Sequence, residues 1–323
     1  MRWPNHVRPR GLGVPAVLAT LAAVLACAGP AAAAPSASLS GGPSLSEATA
    51  IARVERYWTP QRMAEAKPLD YVSDGSGRPS LQPGAPEAAG GASASYAPVA
   101  TPEVPPYSVE GRIFVKQGDL KGYCSGTAIN SPTRQLVLTA GHCVNTGPRR
   151  EGPPLASNFL EFVPAYDGGV APFGAFVSQR RTIRALPQWI NHGNPDFDMG
   201  AFLTYPNSEG VNVADAVGGG ASITLDVSRH QTFRTFGYPG KKTHMEGCES
   251  PYVGDDATTY PFPGPPTMAV KCRWAPGASG GGWLIGDGSE VNGINTYLLL
   301  TDKSRTFGPY FTKETVGKLV RGY

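Results

Sequence analysis

From Gly111 onward, short apolar runs alternate with clusters of Gly, Pro, Asn and Asp. Residues 112–116, 123–129, 135–140 and 159–163 are rich in β-branched and aromatic side chains, and residues 175–183, 197–205, 223–226 and 231–238 continue the style. Residues 267–273, 282–285 and 291–300 complete it. Short runs at this spacing, punctuated by turn formers, predict an all-β sandwich or barrels. One helix is predicted at the end, over 312–320, with Thr312 as its cap and Val316, Leu319 and Val320 on one face. A second, over 46–66, places Ile51, Val54, Tyr57 and Trp58 near helical spacing.

Upstream the texture changes. Arg2, Arg8 and Arg10 precede an apolar stretch of small residues, and Ala31 to Ala34 suit a signal peptidase, so residues 1–34 are read as a cleaved export signal. The apolar stretch is too short for a membrane anchor, and no later run of about 20 apolar residues occurs, so no membrane span is expected. Cys27 follows Val24-Leu25-Ala26, a weak likeness to a lipoprotein box, which leaves a lipid-anchored form as a further reading. Residues 35–108 are read as a pro-segment and flexible linker. Between 75 and 106 that stretch is dense in Gly, Ala, Ser and Pro and buries too little apolar surface to offset its ordering entropy. A merely dispensable leader is the blander alternative. Residues 109–323 form the folded domain.

Composition narrows the function. The 323 residues include 41 Gly and 32 Pro, and 28 basic against 25 acidic side chains give a formal net charge of +3. So mild a balance gives no reason to expect a nucleic-acid partner. With Cys27 removed by signal cleavage, Cys124, Cys143, Cys248 and Cys272 remain, an even set that in an exported chain suggests two disulfides. Four cysteines allow three connectivities. No Cys-x-x-Cys pair or His/Cys cluster appears, so neither a metal nor another cofactor is expected.

Three segments carry chemistry. In the first, an apolar strand, 136–140, runs into His142 beside Cys143. A general base needs such a rigid frame within hydrogen-bond reach of its nucleophile. The second is Gly277-Ala278-Ser279-Gly280-Gly281-Gly282. A nucleophilic Ser needs backbone N–H groups around the oxyanion, here those of Gly277 and Ser279, and flanking glycines permit that close approach. The third, Asp196-Phe197-Asp198, offers a carboxylate to orient the imidazole. Asp198 is favoured over Asp196 because it borders the apolar run directly. His192, His230 and His244 lie in polar surroundings and receive no role.

Thr139-Ala140-Gly141-His142-Cys143 resembles the Thr-Ala-Ala-His-Cys signature of trypsin/chymotrypsin-like serine proteases. Gly277-Ala278-Ser279-Gly280-Gly281 resembles their Gly-Asp-Ser-Gly-Gly, and Cys124-Ser125-Gly126 their Cys-Gly-Gly strand. The likeness runs over roughly 111–323 and leans toward secreted bacterial members near the glutamyl endopeptidases, whose strand end Phe236-Gly237-Tyr238-Pro239-Gly240 also resembles. It implies two antiparallel β-barrels of the chymotrypsin-like type with a short C-terminal helix. It also implies Cys124–Cys143 pairing, hence Cys248–Cys272, and a His142, Asp198, Ser279 triad acting on protein or peptide substrates. The order His, Asp, Ser is the chymotrypsin order; an α/β-hydrolase would place its His after the Ser. A secreted, monomeric endopeptidase made as a zymogen is therefore expected.

The departures matter too. Ala278 stands where trypsin carries an Asp that pairs with a freed N-terminal amine, so activation by pro-segment removal without that pairing is expected. Asn295 stands where the glutamyl branch has a pocket His, and Arg273 where trypsin has its pocket Asp. With Thr296, these residues are the expected pocket lining, and Arg273 would favour acidic side chains. The competing function is a catalytically silent domain of the same fold acting as an extracellular binding module.

Overall fold

Apolar runs separated by turns collapse here into two sheets whose strands pair mostly antiparallel. The computed structural model describes residues 44–73, 79–81, 96–149, 151–257, 263–299 and 301–323. The export-signal and Cys27 readings lie outside them. The leading segment holds α1 (Leu45–Tyr57), α2 (Pro60–Glu65), β1 (Lys67–Pro68), β2 (Tyr71–Ser73), β3 (Pro79–Leu81) and β4 (Ala97–Pro98). The single helix predicted over 46–66 is thus two. Pro60 lacks the N–H a continuing helix needs and instead opens α2, capped by Thr59. At the other end of α1, Ser44 and Glu47 form a capping box.

The first sheet is built from β5 (Glu110–Gln117), β6 (Leu120–Ile129), β7 (Leu136–Thr139), β8 (Asn158–Pro164), β9 (Phe176–Val177), β10 (Arg184–Ala185) and β11 (Gly200–Leu203). Their order is β10-β11-β7-β6-β5-β8-β9, with β1 added in parallel to β6. A bridge between Ser178 and Thr204 joins the ends of β9 and β11. Between β7 and β8 lies α3 (Gly141–Val144), and between β10 and β11 lies α4 (Pro187–His192).

After α5 (Val213–Ala216) the second sheet follows: β12 (Ser222–Ile223), β13 (Thr232–Gly237), β14 (Glu246–Asp255), β15 (Met268–Val270), β16 (Gly282–Ile285), β17 (Glu290–Ile294), β18 (Tyr297–Leu299) and β19 (Asp302–Gly308). It is ordered β12-β17-β16-β13-β14-β15-β19-β18-β2-β3, with β4 on β14. Two of these strands, β14 and β19, were not anticipated. Both are polar, and β14 contains Pro251, so their strand character comes from their partners. The closing helix α6 (Val316–Val320) is shorter than the predicted 312–320. Thr312 accepts hydrogen bonds from the N–H groups of Glu314 and Thr315, which makes a turn of the first four residues.

A strand with one solvated face alternates in burial, yet β5 is buried at nearly every position. Its outer face is covered by the leading segment. Trp58 is almost wholly buried, its ring 5.5 Å from that of Phe114, and its indole N–H donates to the Phe159 carbonyl. Further along, part of the stretch read as a flexible linker contacts the second sheet. Tyr96 stacks on Trp274 at 4.8 Å, and β4 pairs with Glu246 and Gly247. Among the described residues, no helix is long and apolar enough to cross a membrane.

Candidate active site

The apolar strand β7 is fully buried and delivers His142 into α3. Two anchors fix that turn: the Cys124–Cys143 disulfide and a 2.7 Å bond from the Gln117 amide to the His142 carbonyl. Asp198 follows a 3-10 turn, Pro195–Phe197, whose cap Asn194 accepts from the Asp196 N–H. One Asp198 oxygen lies 2.8 Å from His142 Nδ1 and the other accepts from the His142 backbone N–H, also at 2.8 Å. Both side chains are completely buried. A carboxylate on Nδ1 holds the proton there and leaves the Nε2 lone pair free to accept one. Among the described residues, Nε2 has no hydrogen-bond partner.

Asp196 turns elsewhere. Burial pushes its carboxyl up to about 7, the charge of Asp256 adds to this, and a hydrogen bond from the Thr267 backbone opposes it. It makes no bond to His142. The carboxylate at the imidazole is Asp198.

Ser279 sits between β15 and β16 on a loop held from several sides. Gly277 and Gly280 have φ of 99° and 88°, a region where side chains are strained. A Cβ on Gly277 would meet the Tyr123 ring and the Tyr238 carbonyl, and one on Gly280 would meet Thr139 Oγ1 and the Ser125 carbonyl. The Ser125 N–H donates to the Ser279 carbonyl at 2.8 Å, and the Ser125 hydroxyl to the Gly277 carbonyl at 2.9 Å. The Pro276 carbonyl accepts from the Gly240 N–H at 2.6 Å. Because the peptide unit is planar and trans, this aims the Gly277 N–H away from Gly240. Neither the Gly277 nor the Ser279 N–H donates a hydrogen bond within the described residues.

Two supports of this loop were not anticipated. Ser125 replaces a glycine of the motif, and only the folded structure brings it to residue 277. Glu110, fully buried, accepts from the Gly282 N–H at 3.0 Å and from the Thr127 hydroxyl at 3.1 Å. Burial pushes its carboxyl up to about 8 against those two hydrogen bonds.

Two of the expected pocket residues hydrogen-bond within the protein. Asn295 is buried behind the loop: its amide donates to the Phe236 and Ala278 carbonyls, and its oxygen accepts from the Trp283 indole at 2.8 Å. The Thr296 hydroxyl donates to the Phe307 carbonyl. Both therefore direct their polar atoms into the scaffold. Arg273 is half-buried between Cys272, joined to Cys248, and the buried Trp274. Cys124, His142 and Cys143 bring ligand atoms within 4.8 Å of one another, but both sulfurs are tied in a disulfide and offer no thiolate to a metal. His192 and His230 are exposed; His244 is half-exposed, with Nε2 3.1 Å from Glu246.

Asp70 was not anticipated. Its buried carboxyl bonds to the Ser279 hydroxyl and feels the charges of His142 and Asp198. The structure thus brings His142 and Asp198 into contact, and Asp70 links them to Ser279. In the sequence it is an acid set between Leu69 and Tyr71.

Two sheets, with His142 and Asp198 on the first and Ser279 on the second, define the chymotrypsin-like fold of the trypsin/chymotrypsin-like serine proteases. The protein's structural neighbours include bacterial members of that class. The chain is 27% identical to the protease Anisep from Arthrobacter nicotinovorans, with a TM-score of 0.57 over 66% of this chain and 95% of that one. It is 26% identical to AL20, a thermostable serine protease from an extremophilic microorganism, with a TM-score of 0.57 over 66% and 94% of the two chains. A Glu endopeptidase shares the fold at 20% identity, with a TM-score of 0.55 over 70% and 94%. No protein-family model and no curated protein matches the sequence. These neighbours support a protease function.

Proposed function

We propose that the chain is an exported serine endopeptidase in which Ser279 is the nucleophile, His142 the general base and Asp198 the group that orients it. The observation carrying this reading is the two-point hold of Asp198 on His142, with Nε2 buried and unpartnered among the described residues, while Asp70 both feels the His142 charge and bonds to the Ser279 hydroxyl. Ser279 Oγ attacks the carbonyl carbon of a bound peptide while Nε2 takes its proton. Asp198 stabilises the imidazolium that results. The Gly277 and Ser279 N–H groups bind the oxyanion, each worth about 3 kcal/mol to the transition state. His142 then protonates the leaving amine, and water attacking the acyl-enzyme releases the second product. Two disulfides accord with an oxidising, extracellular setting.

The test is covalent labelling by a fluorophosphonate together with turnover of a peptide library. Both are expected from the folded chain once its cleft is open, and both should vanish in Ser279→Ala. A folded protein that resists the probe at every pH and in every variant would instead be a silent binding module.

A further inference from the structure

The leading segment does more than cover the first sheet. Lys67 and Pro68 pair in parallel with Gly122 and Tyr123, and the Leu69 N–H donates to the Tyr123 carbonyl at 2.9 Å. Three residues, Tyr71 to Ser73, then pair in parallel with Tyr297 to Leu299 of the second sheet. Between these two anchors the chain crosses directly over Ser279, and Asp70 is the residue that meets it. Leu69 and Tyr71 are wholly buried. The Tyr71 ring lies 5.3 Å from that of Trp189, 5.6 Å from Tyr297 and 6.2 Å from His142.

What faces the Ser279 hydroxyl is a side-chain carboxyl. It carries no amine leaving group, so attack on it cannot cut the chain. It also draws the hydroxyl proton toward itself, while His142 Nε2, the atom that should receive that proton, is left without a partner. The strand pairings meanwhile fill the edges along which another peptide would lie.

We propose that residues 66–73 hold the full chain latent, with Asp70 diverting the Ser279 hydroxyl from His142 while the flanking residues fill the cleft. This rests on the protease reading of Ser279, His142 and Asp198.

Latency should depend on pH. Burial pushes the Asp70 carboxyl up to about 7; the His142 charge and hydrogen bonds from Tyr71 and Ser279 pull it down, and the Asp198 charge pushes it up. These are the charged groups that face it. Released into water it returns to about 4. The docked state therefore binds the extra proton, so docking is strongest below about pH 4 and weakens as pH rises through 7.

The experiment uses the full chain, with fluorophosphonate labelling rate as readout, for wild type, Leu69→Ala, Asp70→Ala, Asp70→Asn and Ser279→Ala. At pH 6 the two alanine variants of the segment should label at least about tenfold faster than wild type, and Ser279→Ala not at all. The rate of wild type relative to Asp70→Ala should rise about tenfold or more from pH 5 to 8. The same comparison with Asp70→Asn in place of wild type should stay flat. Equal labelling of wild type, Leu69→Ala and Asp70→Ala overturns latency and leaves the protease reading standing. If Asp70→Ala does not fold, Leu69→Ala against wild type decides alone. A folded Leu69→Ala/Asp70→Ala double variant that labels no faster than Ser279→Ala overturns the protease reading itself.

Discussion

The hydroxyl of Ser125 donates to the carbonyl of Gly277 at 2.9 Å and, in the same position, accepts from the N–H of Tyr238 at 3.0 Å. One side chain of the first sheet thereby fixes the loop on which the second sheet presents Ser279. Two fully buried groups depend on it. Truncating Ser125 to Ala leaves both unsatisfied, each at a cost of about 1–3 kcal/mol. On the proposed mechanism, in which this loop binds the oxyanion and not the resting substrate, the expected result in a Leu69→Ala background is a lower melting temperature and a kcat reduced about tenfold or more, with KM changed little. Unaltered kcat in a folded Ser125→Ala protein would show that the loop keeps its shape without the hydroxyl.

Buried acids should make the protein less stable as pH rises. Glu110 and Glu161 are both pushed up to about 8, chiefly by burial, with the charge of Glu55 adding to the second. A carboxyl whose folded pKa is raised stabilises the fold fully below its unfolded value, near 4.5, and that contribution is lost as pH climbs through about 8. Thermal melts should therefore fall between pH 5 and 8.5. Glu110→Gln retains an acceptor for Gly282 and Thr127 but cannot ionise, so its melting temperature should change less steeply over that range. A slope identical to wild type would mean that Glu110 does not titrate there.

The Cys124–Cys143 disulfide closes a loop with a sequence separation of 19 and ends on the residue after His142. Removing it as a Cys124→Ala/Cys143→Ala pair should cost about 3 kcal/mol of stability on the chain-entropy estimate. It should also lower kcat, since α3 carries His142 and loses one of its two anchors. Removing Cys248–Cys272 is expected to destabilise comparably, with a smaller effect on kcat at a temperature where both variants are folded. Equal losses of kcat would argue that neither bridge positions the base.

How much of this was legible in the sequence depends on the range of the forces involved. The runs that became β5 to β8 carry their own β-forming, apolar pattern and could be read without a partner. By contrast, β14 is a polar strand containing Pro251, and pairs because β13 and β15 offer it ladders; no local pattern encodes that. The motif around His142 and the glycines around Ser279 were readable because close backbone approach demands particular small residues. Ser125, Glu110 and Asp70 were not, since each acts through one contact between positions far apart in the chain. The Asn295 side chain shows the converse. Its place in a motif suggested a pocket, whereas folding surrounds it with the Trp283 indole and two carbonyls.

Asp196 and Asp198 stand two residues apart, and their asparagine variants should separate sharply. In Asp198→Asn the amide can still accept from the His142 backbone N–H through its oxygen, which turns its NH2 toward Nδ1. Nδ1 must then accept, so the ring proton moves to Nε2, the atom that receives the Ser279 proton in the proposed mechanism. The base is blocked although the ring stays in place. A fall in kcat of about 10⁴ near neutral pH is expected, with KM and melting temperature changed far less. Asp196 faces Asp256 and the Thr267 backbone instead, so Asp196→Asn should alter stability and leave kcat within about threefold of wild type. Steady-state kinetics on the two variants in a Leu69→Ala background measures the chemistry without the covering segment. A large loss of kcat in Asp196→Asn, or only a small one in Asp198→Asn, would place the orienting carboxylate elsewhere.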